Sequence, residues 1–409
     1  MSLDQALWDD TRQIAGELTE LRHRLHEHPE IGLDLPVTQE TVLSAISDLG
    51  LEITLGRSVS SVTAVLRGGA AAGSGTAVLL RGDMDGLPIT ERTGLNFASK
   101  VDGAMHACGH DLHTAMLVGA ARVLSAHRDS LAGDVVFMFQ PGEEGWDGAG
   151  AMLKEGVLDA AGTRVSSAYG IHVMSSKIRP GVFSTRPGTL MAASDGLFVT
   201  VRGAGGHGSA PHLAKDPVNA AAEMVTALQA LVTRRFDVFD PVVITVGSFH
   251  AGTRRNIIPD EARFEATVRS FSAEAQERLR AETVRLCQSI AAAHGLEVDV
   301  EYEPEYPMTI NNADHAAFVA GVVDDVFGDD RGEVKAAPST GAEDFSRVLA
   351  EVPGCYTFLG AGPADLHDVA PDNHSPLAIF EDSVMPDGVL LHAQLAVRAL
   401  ARDAAAATA

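Results

Sequence analysis

The chain has 409 residues, 45% hydrophobic and 21% charged, with a formal net charge of −24; that length exceeds one simple core and makes two domains the expectation. So acidic a chain lacks the basic footprint that nucleic-acid phosphates require, and its longest apolar runs, such as residues 135–139, fall far short of the ~20 residues of a membrane span. No basic and then apolar leader opens the sequence, and three cysteines, at 108, 287 and 355, make a poor disulfide framework, so a cytoplasmic location is expected.

Residues 11–28 carry helical spacing closed by Pro29. Residues 61–67 and 76–81 are short β-rich runs divided by a Gly/Ala turn at 68–75. A helix is expected over 112–127, with apolar residues at 116, 117, 120, 123 and 124. Residues 135–139 are continuously apolar, as in a strand buried on both faces, and 168–173 is another short strand. This alternation predicts an α/β layered domain.

From residue 191 the order changes to strand 197–201, helix 217–235, strand 242–249, strand 262–271, helix 273–294 and strand 297–303. That β-α-β-β-α-β order is the ferredoxin-like α+β pattern, and Pro304 and Pro307 close it. The expectation is a catalytic domain in two segments, 1–190 and 306–409, with a small domain inserted at 191–305. The alanine-rich tail, 404–409, is expected to fray.

The chemistry concentrates in Met105-His106-Ala107-Cys108-Gly109-His110-Asp111-Leu112-His113, which holds a thiol, three imidazoles and a carboxylate. Cys108 and His110 stand just before a helix, where both can turn toward one ion, and a coordinated thiol is deprotonated outright. Glu143 and Glu144 follow a buried strand and Pro-Gly, at a strand end where α/β sites are built. Adjacent carboxylates there point in different directions, so one can ligate a metal while the other takes a proton from water. A structural metal site is closed, whereas a hydrolytic one needs such a spare base.

Single residues say less. His172 lies in an apolar strand, where a satisfied core histidine is the commoner finding, and His374 lies in a polar Asn-His-Ser-Pro loop. Asp83 and Asp85 end a strand two residues apart; with Asp111 they are candidates for orienting ligand imidazoles from behind. The glycine cluster around His207 has no phosphate-loop lysine and suits presentation of that histidine to a ligand. Asn256 sits in a polar turn after Arg254 and Arg255, where an arginine can clamp a carboxylate.

These motifs resemble, in family order over most of the chain, the metallopeptidase/aminoacylase family, in its branch of hippurate hydrolases, indoleacetyl-amino-acid hydrolases and N-acyl-L-amino acid amidohydrolases. Those carrying the resemblance include Arg24-Leu25-His26-Glu27-His28-Pro29-Glu30, Asp83-Met84-Asp85-Gly86-Leu87-Pro88, Gln140-Pro141-Gly142-Glu143-Glu144, Gly206-His207-Gly208, Asn256-Ile257-Ile258-Pro259 and His374-Ser375-Pro376. The resemblance implies a zinc-exopeptidase-type catalytic domain with an inserted lid and dimerisation domain, and a homodimer or homotetramer formed through that lid. It implies two divalent metal ions per subunit (Mn, Zn, Co or Ni) on Cys108, His110, Glu144, His172 and His374. Glu143 then falls at the general base, His207 at an oxyanion-stabilising lid position, and Asn256 at a substrate contact. Two departures stand out: Ala378 where relatives often have Phe, and Glu381-Asp382, an inverted acidic pair.

The expected reaction is hydrolysis of a small-molecule N-acyl amino acid to a carboxylic acid and a free amino acid. Two rivals keep an enzyme: a dipeptidase or exopeptidase using the same metal site, and a thiol amidase with Cys108 as nucleophile. A third is a metal-binding or dimerising protein without catalysis, against which the spare Glu143 argues.

Overall fold

The computed structural model describes residues 2–70, 75–365 and 369–408. It comprises two compact units, Met1–Leu190 with Ile310–Ala337 and Asp344–Ala409, and Met191–Thr309 with Pro338–Glu343. Among the described residues no helix is long and apolar enough to cross a membrane.

The first unit is built on an eight-stranded sheet in the order Glu52–Leu55, Val62–Leu66, Asp134–Gln140, Ala77–Asp83, Ser167–Met174, Gly354–Gly360, Phe183–Thr185, Gly332–Val334. The four middle strands run parallel, while the first three pair antiparallel. Every residue of Ala77–Asp83 and of Gly354–Gly360 is buried, which requires cover on both faces and explains the unbroken apolar runs. The helix His110–Ala126 is buried almost all round, from His110 to Ala121 without a break. Its Leu112, Met116 and Leu117 join Leu18, Leu21, Val389 and Leu390 in one core. A helix enclosed on every side is fixed in position, and so is the residue that opens it.

Several elements differ from expectation at their ends. The helical stretch at 11–28 is two helices, Leu3–Gln13 and Ala15–Glu27, separated at Ile14; the apolar spacing runs through the break and does not register it. The helix expected from residue 112 begins two residues earlier, so His110 is its first residue. Of the turn expected at 68–75, residues 71–74 lie outside the described residues. The alanine-rich tail is helical rather than frayed, in Met385–Thr408, since alanine is the strongest helix former; residue 409 lies outside the described residues.

The second unit has a four-stranded antiparallel sheet in the order Val242–Ala251, Glu261–Ser270, Ala193–Arg202, Glu297–Tyr306. Helices Pro217–Arg235 and Ala273–Ala293 supply Ala220, Met224, Leu279 and Ile290 to its core. Each begins on a side-chain cap, Asp216 for Val218 N–H and Ser272 for Ala275 N–H. Along Glu261–Ser270, Ala262, Phe264, Ala266 and Val268 are buried while Arg263, Glu265 and Thr267 are exposed, so one face meets the helices and the other is polar. Apart from two added two-residue strands, Gly206–His207 and Ile257–Ile258, which pair with each other, the element order follows β-α-β-β-α-β.

Candidate metal centre

The site of the first unit lies toward the carboxyl ends of three parallel strands, the usual place for a ligand in an open α/β sheet. Ala77–Asp83 ends on Asp83, Asp134–Gln140 leads into Glu143 and Glu144, and Ser167–Met174 carries His172. Between Cys108 and His110, Gly109 takes φ +82°, and a Cβ there would meet Val173 Cγ2 at 2.4 Å. Only glycine fits that turn, and the turn brings the thiol and the helix-opening imidazole to the same place.

Cys108 Sγ lies 3.4 Å from His172 Nε2 and 3.3 Å from His374 Nε2. Glu144 Oε1 is 3.1 Å from His374 Nε2 and 3.9 Å from His110 Nε2. Two groups of three, Cys108/His110/His172 and Cys108/Glu144/His374, each have their donor atoms within 4.8 Å of one another and share the thiol. All five candidates from the sequence therefore come together. His110 is fully buried, yet neither ring nitrogen makes a hydrogen bond, an exception among buried polar groups that calls for a further partner. A thiol, three imidazoles and a carboxylate suit a divalent transition ion, and the shared thiol suits two.

Glu143, nearly buried, has a carboxylate oxygen within 4.8 Å of donor atoms of His110 and Glu144. One residue holds the backbone that carries both carboxylates: Asp85 accepts from Glu143 N at 3.0 Å through Oδ1 and from Glu144 N at 3.1 Å through Oδ2. Asp85 Oδ1 also faces His110 Nδ1 at 3.5 Å. Asp83 lies on the other side of that ring, 3.5 Å from Nε2. Burial works against a charge on Asp83, but Arg81, His110 and His113 outweigh it and hold its carboxyl well below the usual range. His374 is half-exposed and takes φ +69°, a backbone state that costs a non-glycine residue energy and is often found at functional sites.

Asp111 contacts no candidate ligand. It accepts from Arg22 Nε at 2.7 Å and pairs with His26 Nδ1 at 2.8 Å, which ties the start of the ligand-bearing helix to Ala15–Glu27. His106 is buried with neither ring nitrogen hydrogen-bonded, and burial pushes it down to about 4. The departures also find places. Asp382 accepts from Arg22 Nη1 at 3.0 Å and pairs with His23 Nε2 at 2.8 Å, and Ala378 joins the buried core.

Arg81, His113 and Asn373 also have places at the centre, though no role is expected of them from the sequence. His113 stands inside the motif and Asn373 beside His374, so adjacency is the available signal; Arg81 stands two residues before Asp83, with which it pairs, and its other partners Gln140 and Asp344 lie far along the chain.

In the second unit, His207 and Asn256 are neighbours: Ile257 pairs with His207, and Gly208 N donates to Asn256 O at 2.9 Å. His207 Nδ1 accepts from Ser209 N at 3.2 Å, which leaves Nε2 to carry the ring proton on an exposed side chain.

Residues 79–398 match the family described as Peptidase family M20/M25/M40. Thermostable carboxypeptidase 1 of Saccharolobus solfataricus is 37% identical over 97% of this chain and 99% of that protein. The hippurate hydrolase of Campylobacter jejuni is 34% identical over 95% and 97%. A crystal structure of a dinuclear metal-binding peptidase of family M20 from Bacillus subtilis covers 95% of this chain and 99% of its own, at 30% identity and a TM-score of 0.80.

Proposed function

Because the chain belongs to peptidase family M20/M25/M40, we propose that it is a metal-dependent amidohydrolase that cleaves N-acyl amino acids to a carboxylic acid and a free amino acid. The observation carrying this reading is the pair Glu143 and Glu144, whose backbone amides Asp85 holds, with Glu144 grouped with Cys108 and His374 and the Glu143 carboxylate beside His110 and Glu144. The hippurate hydrolase among its relatives supports the acyl amino acid as substrate.

Cys108, His110, Glu144, His172 and His374 would hold two divalent ions; when bound, these supply Lewis-acid polarisation of the amide carbonyl and a water of lowered pKa. Manganese, zinc, cobalt and nickel all suit the mixed sulfur, nitrogen and oxygen donors. Glu143 takes the proton of the attacking water and delivers it to the departing amine. In this reading the second unit is the lid and dimerisation domain of a homodimer or homotetramer. Its His207 donates from Nε2–H to the oxyanion of the tetrahedral intermediate, and Asn256 contacts the substrate. The cysteines are free and buried, which supports a reducing, cytoplasmic setting.

Exopeptidase action by the same site is the second reading, favoured by the relative named as a carboxypeptidase. The thiol-amidase alternative is weaker, since two imidazoles and a carboxylate converge on Cys108 where a nucleophile needs one base and an open face.

The test is amino-acid release from N-acyl amino acids and from unblocked dipeptides, using metal-stripped protein with and without added Mn²⁺ or Zn²⁺. Metal-restored release from the acyl substrates supports the reading, and preference for dipeptides moves it to the exopeptidase. Full activity without metal overturns both.

A further inference from the structure

We propose that His113 and Asn373 are positioning residues that act through the backbone of a single residue, Val173, to aim His172 at the metal centre. The proposal rests on the reading of His172 as a ligand.

The Val173 N–H donates to His113 Nε2 at 2.8 Å. A ring nitrogen that accepts must hold its lone pair there, so the proton of His113 sits on Nδ1, 2.5 Å from Asp83 Oδ1. The other oxygen of Asp83 accepts from Arg81 Nη1 at 2.7 Å. Both nitrogens of His113 are thereby committed. Although Asp83, His110 and His113 have donor atoms within 4.8 Å of one another, His113 has no lone pair left for an ion. It is a strut.

The carbonyl of the same residue holds the other side. His172 Nδ1 lies 2.8 Å from Val173 O, and a carbonyl only accepts, so His172 also carries its proton on Nδ1. Its Nε2 lone pair then faces Cys108 Sγ at 3.4 Å. Asn373 Nδ2 donates to Val173 O at 3.0 Å. The amide cannot be flipped, because Asn373 Oδ1 accepts from Ser175 N and Ser175 Oγ, each at 2.9 Å. Asn373 directly precedes His374, whose own N–H donates to Ala107 O at 2.9 Å. The two peptide groups that flank Val173, one held by His113 and the other by Asn373, thus set the direction of His172, and the carbonyl sets its tautomer and ties it to the loop bearing His374. Partners of this kind typically change metal affinity 10–100-fold when removed.

The test uses Co²⁺ as probe on the full chain, comparing wild type with His113→Gln and Asn373→Asp. Asn373→Asp keeps the oxygen facing Ser175 but turns a second oxygen on the Val173 carbonyl. The readouts are Co²⁺ dissociation constants by chelator competition and the visible and thiolate-to-Co²⁺ absorption bands, with circular dichroism to confirm folding. We expect roughly 10–100-fold weaker binding at one site and altered bands in both variants. Folded variants with wild-type affinity and bands overturn the strut while leaving the metal reading intact. A wild type that binds no Co²⁺ overturns both. If a variant fails to fold, ¹⁵N spectra of histidine-labelled, Zn²⁺-loaded wild type decide the matter. Two buried rings in the Nδ1–H tautomer support the proposal, and Nε2–H on the ring assigned to His113 ends it.

Discussion

Arg22 and Asp111, 89 residues apart in sequence, form an ion pair at 2.7 Å with both side chains essentially excluded from water. The pair joins the helix Ala15–Glu27 to the residue that follows His110. Removing Arg22 takes one of two cationic partners from the buried Asp111 and leaves it only His26; breaking a buried pair costs up to about 3–5 kcal/mol. Urea unfolding of Arg22→Met should show a loss of that size, and adding Asp111→Asn should recover part of it. Equal stabilities for the single and double variants would contradict this role.

His26 shares Asp111 with Arg22. Burial works against its protonation, but Asp111 and Glu91 outweigh burial and raise the imidazole to about 9. The folded value lies above the unfolded one, so the stabilisation is complete below pH 6.5 and is lost as pH rises through about 9. Between those limits wild type should lose up to about 3 kcal/mol more than His26→Gln. Parallel stability–pH curves for the two proteins would exclude the effect.

His374 in the metal-free protein is raised to about 10, through its hydrogen bonds to Cys108 and Glu144. Metal loading at pH 8 must displace that proton, so binding should release it and weaken as pH falls. Calorimetry in two buffers of different ionisation heat measures the release. The His374→Ala variant should release about one proton fewer.

Glu143→Gln should lower kcat by about 10²–10⁴-fold with metal content unchanged. Glu144→Gln should lose metal. Metal analysis alongside steady-state rates separates the two roles; equal metal loss in both variants would mean Glu143 is a ligand and not a base.

Gly109→Ala should destabilise the fold by more than ~1 kcal/mol and weaken metal binding, because its φ of +82° and the contact with Val173 leave no room for a methyl group. Thermal unfolding with metal titration tests both effects.

The ligand types and the strands that carry them were legible in the chain because they are local. Cys108 and His110 open a helix, Glu143 and Glu144 end a buried apolar strand, and the β-α-β-β-α-β stretch follows from alternation of residue type. Short edge elements were not legible: Glu52–Leu55 alternates polar and apolar residues, but it is only four residues long and exposed along its whole length. Nor could local pattern assign Asp111 to Arg22 and His26, Asp85 to the amides of Glu143 and Glu144, or His113 to Val173 N–H. Each of these is a contact between distant segments that forms only once the strands, the loops at their ends and the buried helix His110–Ala126 pack together. Sequence determines which donors exist and the order in which the chain delivers them. Hydrogen bonds that close only after packing decide which lone pair each donor presents, because a buried imidazole takes the tautomer that its neighbours leave open.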